Sequence, residues 1–185
     1  MKTFSKSILA GFWLLAMGLS SAQADTVQWI NHFDLLSGYP ADLTISANST
    51  SSGVGGGLTG AVVRSRTVGD VFPGGGNKVA HMALNLPPQP AGITIRGVRV
   101  CYESTSIATY VTQTRIAEVQ NPPSVAAVKM DDPKDLNVAG PQCVDVTGPG
   151  ASIPVGNGPL LFSLRFNFGS IADAIVIRGL GIILG

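Results

Sequence analysis

Residues 93–103 read ITIRGVRVCYE. Val98, Val100 and Tyr102 alternate with Arg99, Cys101 and Glu103, so one side of the segment is apolar and the other polar. That period of two, filled with β-branched and aromatic residues, predicts a long strand with one face on a core. Gly97 sits where the apolar register changes sides, which predicts a bulge.

Working outward, the same pattern recurs. Lys78–Leu86 alternates, with Ala80, Met82, Leu84 and Leu86 on one side. Thr109–Val119 keeps Val111, Ala117 and Val119 in phase. Further strands are predicted at Thr26–Leu35, Leu43–Ala47, Leu58–Arg64, Thr67–Phe72, Val125–Met130, Gln142–Thr147, Leu160–Phe168 and Ala172–Leu184. Gly179 and Gly181 predict that the last of these is bent or split. Turn residues separate the segments, as in Pro73-Gly74-Gly75-Gly76-Asn77 and Asn121-Pro122-Pro123. No strand alternates with a helical segment, which argues against a parallel α/β sheet. The expected fold is all-β: a single antiparallel β-sandwich, jelly-roll-like, of about ten strands with one disulfide.

Composition agrees. The chain has 185 residues, of which 23 are Gly and 12 are Pro, as a protein of many tight turns requires. Charged residues make up 12%, against about 25% in an average soluble domain. A hydrophobic content of 45% excludes a disordered chain, and a net charge of +1 gives no footprint for nucleic acid.

The first 24 residues read as an address. Lys2 and Lys6 precede an uncharged, mostly apolar run from Ile8 to Leu19, and Ala22 and Ala24 are small residues at the −3 and −1 positions of a cut after Ala24. The run is too short to span a bilayer, so residues 1–24 are expected to be a signal peptide cleaved after Ala24, leaving residues 25–185 as one secreted or periplasmic domain. Ile171–Leu184 is also short and carries Asp173 and Arg178, so no transmembrane segment is expected in the mature chain. Residues 48–57 (NSTSSGVGGG) are expected to form a flexible Ser/Gly loop.

An oxidising compartment favours a disulfide between Cys101 and Cys143, with two free thiols as the alternative. The chain-entropy argument gives such a loop at most about 4 kcal/mol.

Leu86-Pro87-Pro88 through Gly92-Ile93-Thr94-Ile95-Arg96-Gly97-Val98 looks like a turn entering a central jelly-roll strand. Phe166-Asn167-Phe168-Gly169 through Ile175-Val176-Ile177-Arg178-Gly179-Leu180-Gly181 looks like the terminal strand pair of such a sandwich. On these segments the chain resembles small exported bacterial β-sandwich modules of unknown function. The shared motifs are structural, and the resemblance implies no functional residue.

Chemistry is sparse. Gly55–Gly60 fits the dinucleotide pattern of glycines, but a strand rather than a helix is predicted to follow. His32 and His81 have no partner at metal-ligand spacing, and His81 is expected to be a surface or hydrogen-bonded side chain. Asp131, Asp132 and Asp135 form the densest acidic cluster, a candidate for calcium, with a solvated turn as the alternative. Glu103 and Glu118 read as strand-end surface charges. Trp29, in phase with Val27 and Phe33, is expected in the core. Tyr39, in a Gly-Tyr-Pro turn, is the exposed aromatic candidate for ligand binding. No other cofactor is expected. Two functions fit: a non-enzymatic binding or adhesion module for a glycan or cell-surface partner, and a structural subunit whose copies assemble through sheet edges. A secreted hydrolase ranks behind both, since no motif assigns catalytic roles.

Overall fold

A computed structural model describes residues 25–49, 58–87, 90–119, 126–148, 152–154 and 158–185. The expected signal peptide and most of the Ser/Gly loop lie outside the described residues. Among these residues there are twelve strands: β1 Thr26–Ile30, β2 Leu36–Ser37, β3 Leu43–Ser49, β4 Leu58–Ser65, β5 Val79–Leu84, β6 Thr94–Ser104, β7 Tyr110–Val119, β8 Ala126–Asp132, β9 Gly140–Val146, β10 Ile153–Pro154, β11 Leu160–Asn167 and β12 Ile175–Leu184. They form two antiparallel sheets. A seven-stranded sheet runs β10-β6-β12-β4-β3, with β1 added to β12 and β9 added to β6. A five-stranded sheet runs β2-β5-β11-β7-β8. The inner faces enclose one core, including Val100, Tyr102, Ile177 and Ile182 from the first sheet and Met82, Ile116, Phe162 and Phe166 from the second. The all-β sandwich read from the sequence is therefore the fold, and Cys101–Cys143 is its disulfide.

The deciding strand behaves as its sequence dictates. In β6, Val98, Val100 and Tyr102 are buried in the core, and so is Ile95, three residues before Val98. Two core residues an odd number apart require a bulge, and the pairing with β12 slips at that point: Ile183 faces Gly97, and Leu184 faces Ile95. Gly97 also lies against β9. A Cβ there would overlap the Val146 carbonyl oxygen. Cys101 and Cys143 stand directly opposite in the β6–β9 ladder, with Cα atoms 4.0 Å apart.

Four expectations are corrected here, and a fifth, for Trp29, with the surface below. Thr26–Leu35 is not one strand: Asn31 caps a single 3-10 turn at His32–Asp34, its side chain accepting from the Phe33 amide, which ends β1. Asn48 and Ser49 belong to β3 rather than to a loop. Glu118 is largely buried, its carboxylate 2.7 Å from Lys129 Nζ.

Thr67–Phe72 forms no strand beyond isolated bridges at Gly69 and Val71. The segment instead folds around Lys78, which is 0% exposed. Its ammonium donates to the carbonyls of Thr67 (2.5 Å), Val68 (2.9 Å) and Gly69 (3.0 Å). Asp42 lies 3.8 Å away and itself accepts from Ser65 and Thr67. A carbonyl has two lone pairs, so Gly69, while bound to the cation, still accepts from the Phe168 amide in its single bridge.

Candidate functional site

The outer face of the five-stranded sheet carries a polar strip. Strict alternation in β11 buries Leu160, Phe162, Leu164 and Phe166 and leaves Ser163 and Arg165 facing outward. In β5, Met82 and Leu84 go inward, and Val79 and His81 face out. In β7, Ile116 is inside, and Gln113 and Arg115 are outside. The register aligns these residues into rows. His81, Ser163, Arg115 and Asp131 follow one another across β5, β11, β7 and β8, and Val79, Arg165 and Gln113 form the next row. Asn77, Val79, His81, Gln113, Arg115, Ser163 and Arg165 line a cavity of about 60 Å³ in this face.

The groups hold one another in place. His81 Nδ1 lies 2.8 Å from Ser163 Oγ. Asp131 accepts from Gln113 Nε2 at 2.6 Å and from Arg115 at 2.9 Å. Arg165 pairs with Asp70. Burial pushes the His81 imidazole below its usual pKa, so it is neutral at pH 7 and offers one donor and one acceptor. Its second nitrogen faces the chain just after β2. There stands Gly38, whose added Cβ would lie 3.3 Å from Nε2. Arg165 Nε is buried and, among the described residues, has no hydrogen-bond partner. An unmatched buried donor costs about 1–3 kcal/mol.

Tyr39 follows Gly38 directly, half-exposed and packed on Phe72 with ring centroids 4.5 Å apart. The three aspartates are not brought together as ligands. Asp131 is occupied by Gln113 and Arg115, and Asp132 accepts from the Lys134 amide within its turn. Among the described residues, no group of three His, Cys, Asp or Glu side chains is placed to hold a metal ion. Glu103 and Glu118 lie in different sheets and do not face one another. His81 is hydrogen-bonded as expected, but its partner Ser163 is far away in sequence, and only the register reveals the pair.

Trp29 is not in the core. It is 57% exposed, on the outer face of the seven-stranded sheet. Alternation places it correctly with Val27 but does not say which side of the sheet the pair occupies.

Fold and surface together define an antiparallel β-sandwich with a polar, hydrogen-bonded outer face. No family model matches the chain, and no curated protein matches it in sequence. Solved structures similar in fold include three that contain carbohydrate-binding modules. One is the family 11 carbohydrate-binding module of a cellulosomal cellulase of Clostridium thermocellum: 11% identity, 86% of this chain and 96% of that one, TM-score 0.44. Another is a xylan-binding domain of carbohydrate-binding family 22: 10% identity, 81% of this chain and 86% of that one, TM-score 0.42. The third is a Clostridium thermocellum xylanase comprising a family 22 binding module and a catalytic module, complexed with xylohexaose: 13% identity, 88% of this chain, TM-score 0.43. The chain spans 28% of that enzyme's length. The likeness is one of fold alone.

Proposed function

We propose that this protein is an exported, non-enzymatic binding module that takes a glycan on the outer face of its five-stranded sheet. The observation that carries the reading is the cavity-lining row of imidazole, hydroxyl, amide and guanidinium groups, held in place by hydrogen bonds within the strip. Such a surface matches the dense hydroxyls of a sugar chain, and its preorganisation reduces the entropy lost on binding. Ser163 and His81 serve as hydrogen-bonding groups. Among the described residues no carboxylate accepts a hydrogen bond from His81, so the constellation lacks the third member of a nucleophilic triad. The sequence of residues 1–24 supports export to the periplasm or beyond.

Affinity electrophoresis of the full chain through gels containing xylan, mixed-linkage β-glucan, mannan or pullulan tests this. At least one polysaccharide is expected to retard it, and the double substitution Gln113→Ala, Ser163→Ala is expected to weaken that retardation clearly. Equal mobility in every gel overturns the proposal.

A further inference from the structure

On the opposite side of the sandwich, Trp29 lies in an outer row with Gly181, Arg99 and Asp145, one residue from each of β1, β12, β6 and β9. The six-membered edge of its indole rests over glycines. A Cβ on Gly179 would lie 3.2 Å from Trp29 Cζ3, and one on Gly181 would lie 3.4 Å from Cε3. Any side chain at either position would press on the ring. Neighbouring charges are matched: Arg99 holds Asp145 through two bonds of 2.6 and 2.7 Å, and Arg178 holds Glu103. Beside β1, a cleft of about 200 Å³ is lined by Gln28, Trp29, Asn31, Asp34 and Asn85, with Met82 and Ala83 on its β5 side. Within it, Asn31 donates to Asp34 Oδ1 at 2.9 Å and accepts from the Phe33 amide, so the amide orientation is set in advance.

The geometry points to a second ligand site, in which Trp29 and the Asn31–Asp34–Asn85 cleft bind a neutral pyranose. A pyranose has an apolar C–H face that lies against an aromatic ring and a rim of hydroxyls that needs amide and carboxylate partners. Both are supplied here, at one edge of the sandwich. The paired charges favour an uncharged sugar over a uronic acid or a phosphate. They also interrupt the apolar surface that a protein partner would need around the tryptophan. The inference shares the carbohydrate reading given above but uses a different face.

Trp29 is itself the reporter. The sequence has two tryptophans, so Trp13→Phe in the full chain leaves Trp29 alone. Its emission is followed during titration with cellohexaose, xylohexaose, mannohexaose and chitohexaose. At least one is expected to give a saturable change. By calorimetry in the original chain, Trp29→Ala should weaken that sugar by about tenfold, while Trp29→Tyr keeps most of the affinity. Gln113→Ala with Ser163→Ala should leave the Trp29 response intact, which separates this site from the other sheet face. No change with any of the four sugars overturns the inference, as does unaltered affinity in Trp29→Ala. Self-association without sugar that Trp29→Ala abolishes overturns it in favour of an interface between copies.

Discussion

Lys78→Met is the most informative single change for the fold. The methionine keeps much of the stem's volume but removes the ammionium-type donor from three carbonyls, at Thr67, Val68 and Gly69, and from the neighbourhood of Asp42. Asp42 is itself buried, so its carboxylate loses its counter-charge without gaining water. Removing one partner of a buried pair costs about 3–5 kcal/mol, and hydrogen bonds from a charged donor are worth about 1.5–3 kcal/mol each where they cannot be replaced. The added apolar burial offsets only part of this. The expected net loss is about 3–5 kcal/mol, a large share of the about 5–15 kcal/mol typical of a whole domain. Urea denaturation of the full chain, read by far-ultraviolet circular dichroism, measures it. The loop 66–77 should also become the first point of proteolytic nicking, because the cation that gathers its carbonyls is gone. A loss below about 1 kcal/mol with unchanged proteolysis would refute the claim that Lys78 organises this loop.

Other outcomes follow from the same structure. Burial lowers the pKa of His81 and of His32 from the ordinary 6.5, so the unfolded chain takes up protons first as the pH falls. Stability should therefore decline as the pH drops below about 6.5, and His81→Gln should flatten part of the decline in urea midpoints measured from pH 7.5 to 5.5. Gly97→Ala places a methyl group against the Val146 carbonyl oxygen and should cost about 1–3 kcal/mol by thermal denaturation, whereas Gly74→Ala, in open space, should be nearly neutral. Asp131 is engaged by Gln113 and Arg115, so the melting temperature should be the same in calcium and in chelator, and a calcium-dependent rise would reinstate the acidic cluster as a metal site.

The sandwich was legible because side-chain alternation is a local property. Val98, Val100 and Tyr102 declare a buried face, and Gly97 marks the place where that face changes. Lys78 was not legible as a core residue. Its burial depends on Thr67–Gly69 folding back over it, and nothing in the spelling of those residues distinguishes this from a strand. The polar strip lay equally out of sight. His81 and Ser163 become neighbours only through the β5–β11 register, and Arg115 joins them only through β7. Trp29 shows the limit of periodicity. A period of two sorts residues into two faces, and whether a face is inside depends on its neighbours, here Gly179 and Gly181.

The pairing of β1 with β12 sets Thr26 opposite Leu184, so the earliest and latest described strands are ladder neighbours. Such pairing raises the contact order: the β1–β12 hydrogen bonds cannot form until β12 has been made. The same adjacency makes the molecule a good subject for circular permutation. Gly185 joined to Asp25 by a short linker, with new ends opened in the loop 133–139, should retain both sheets while letting β1 and β12 form as a local hairpin, and it should fold faster than the natural order.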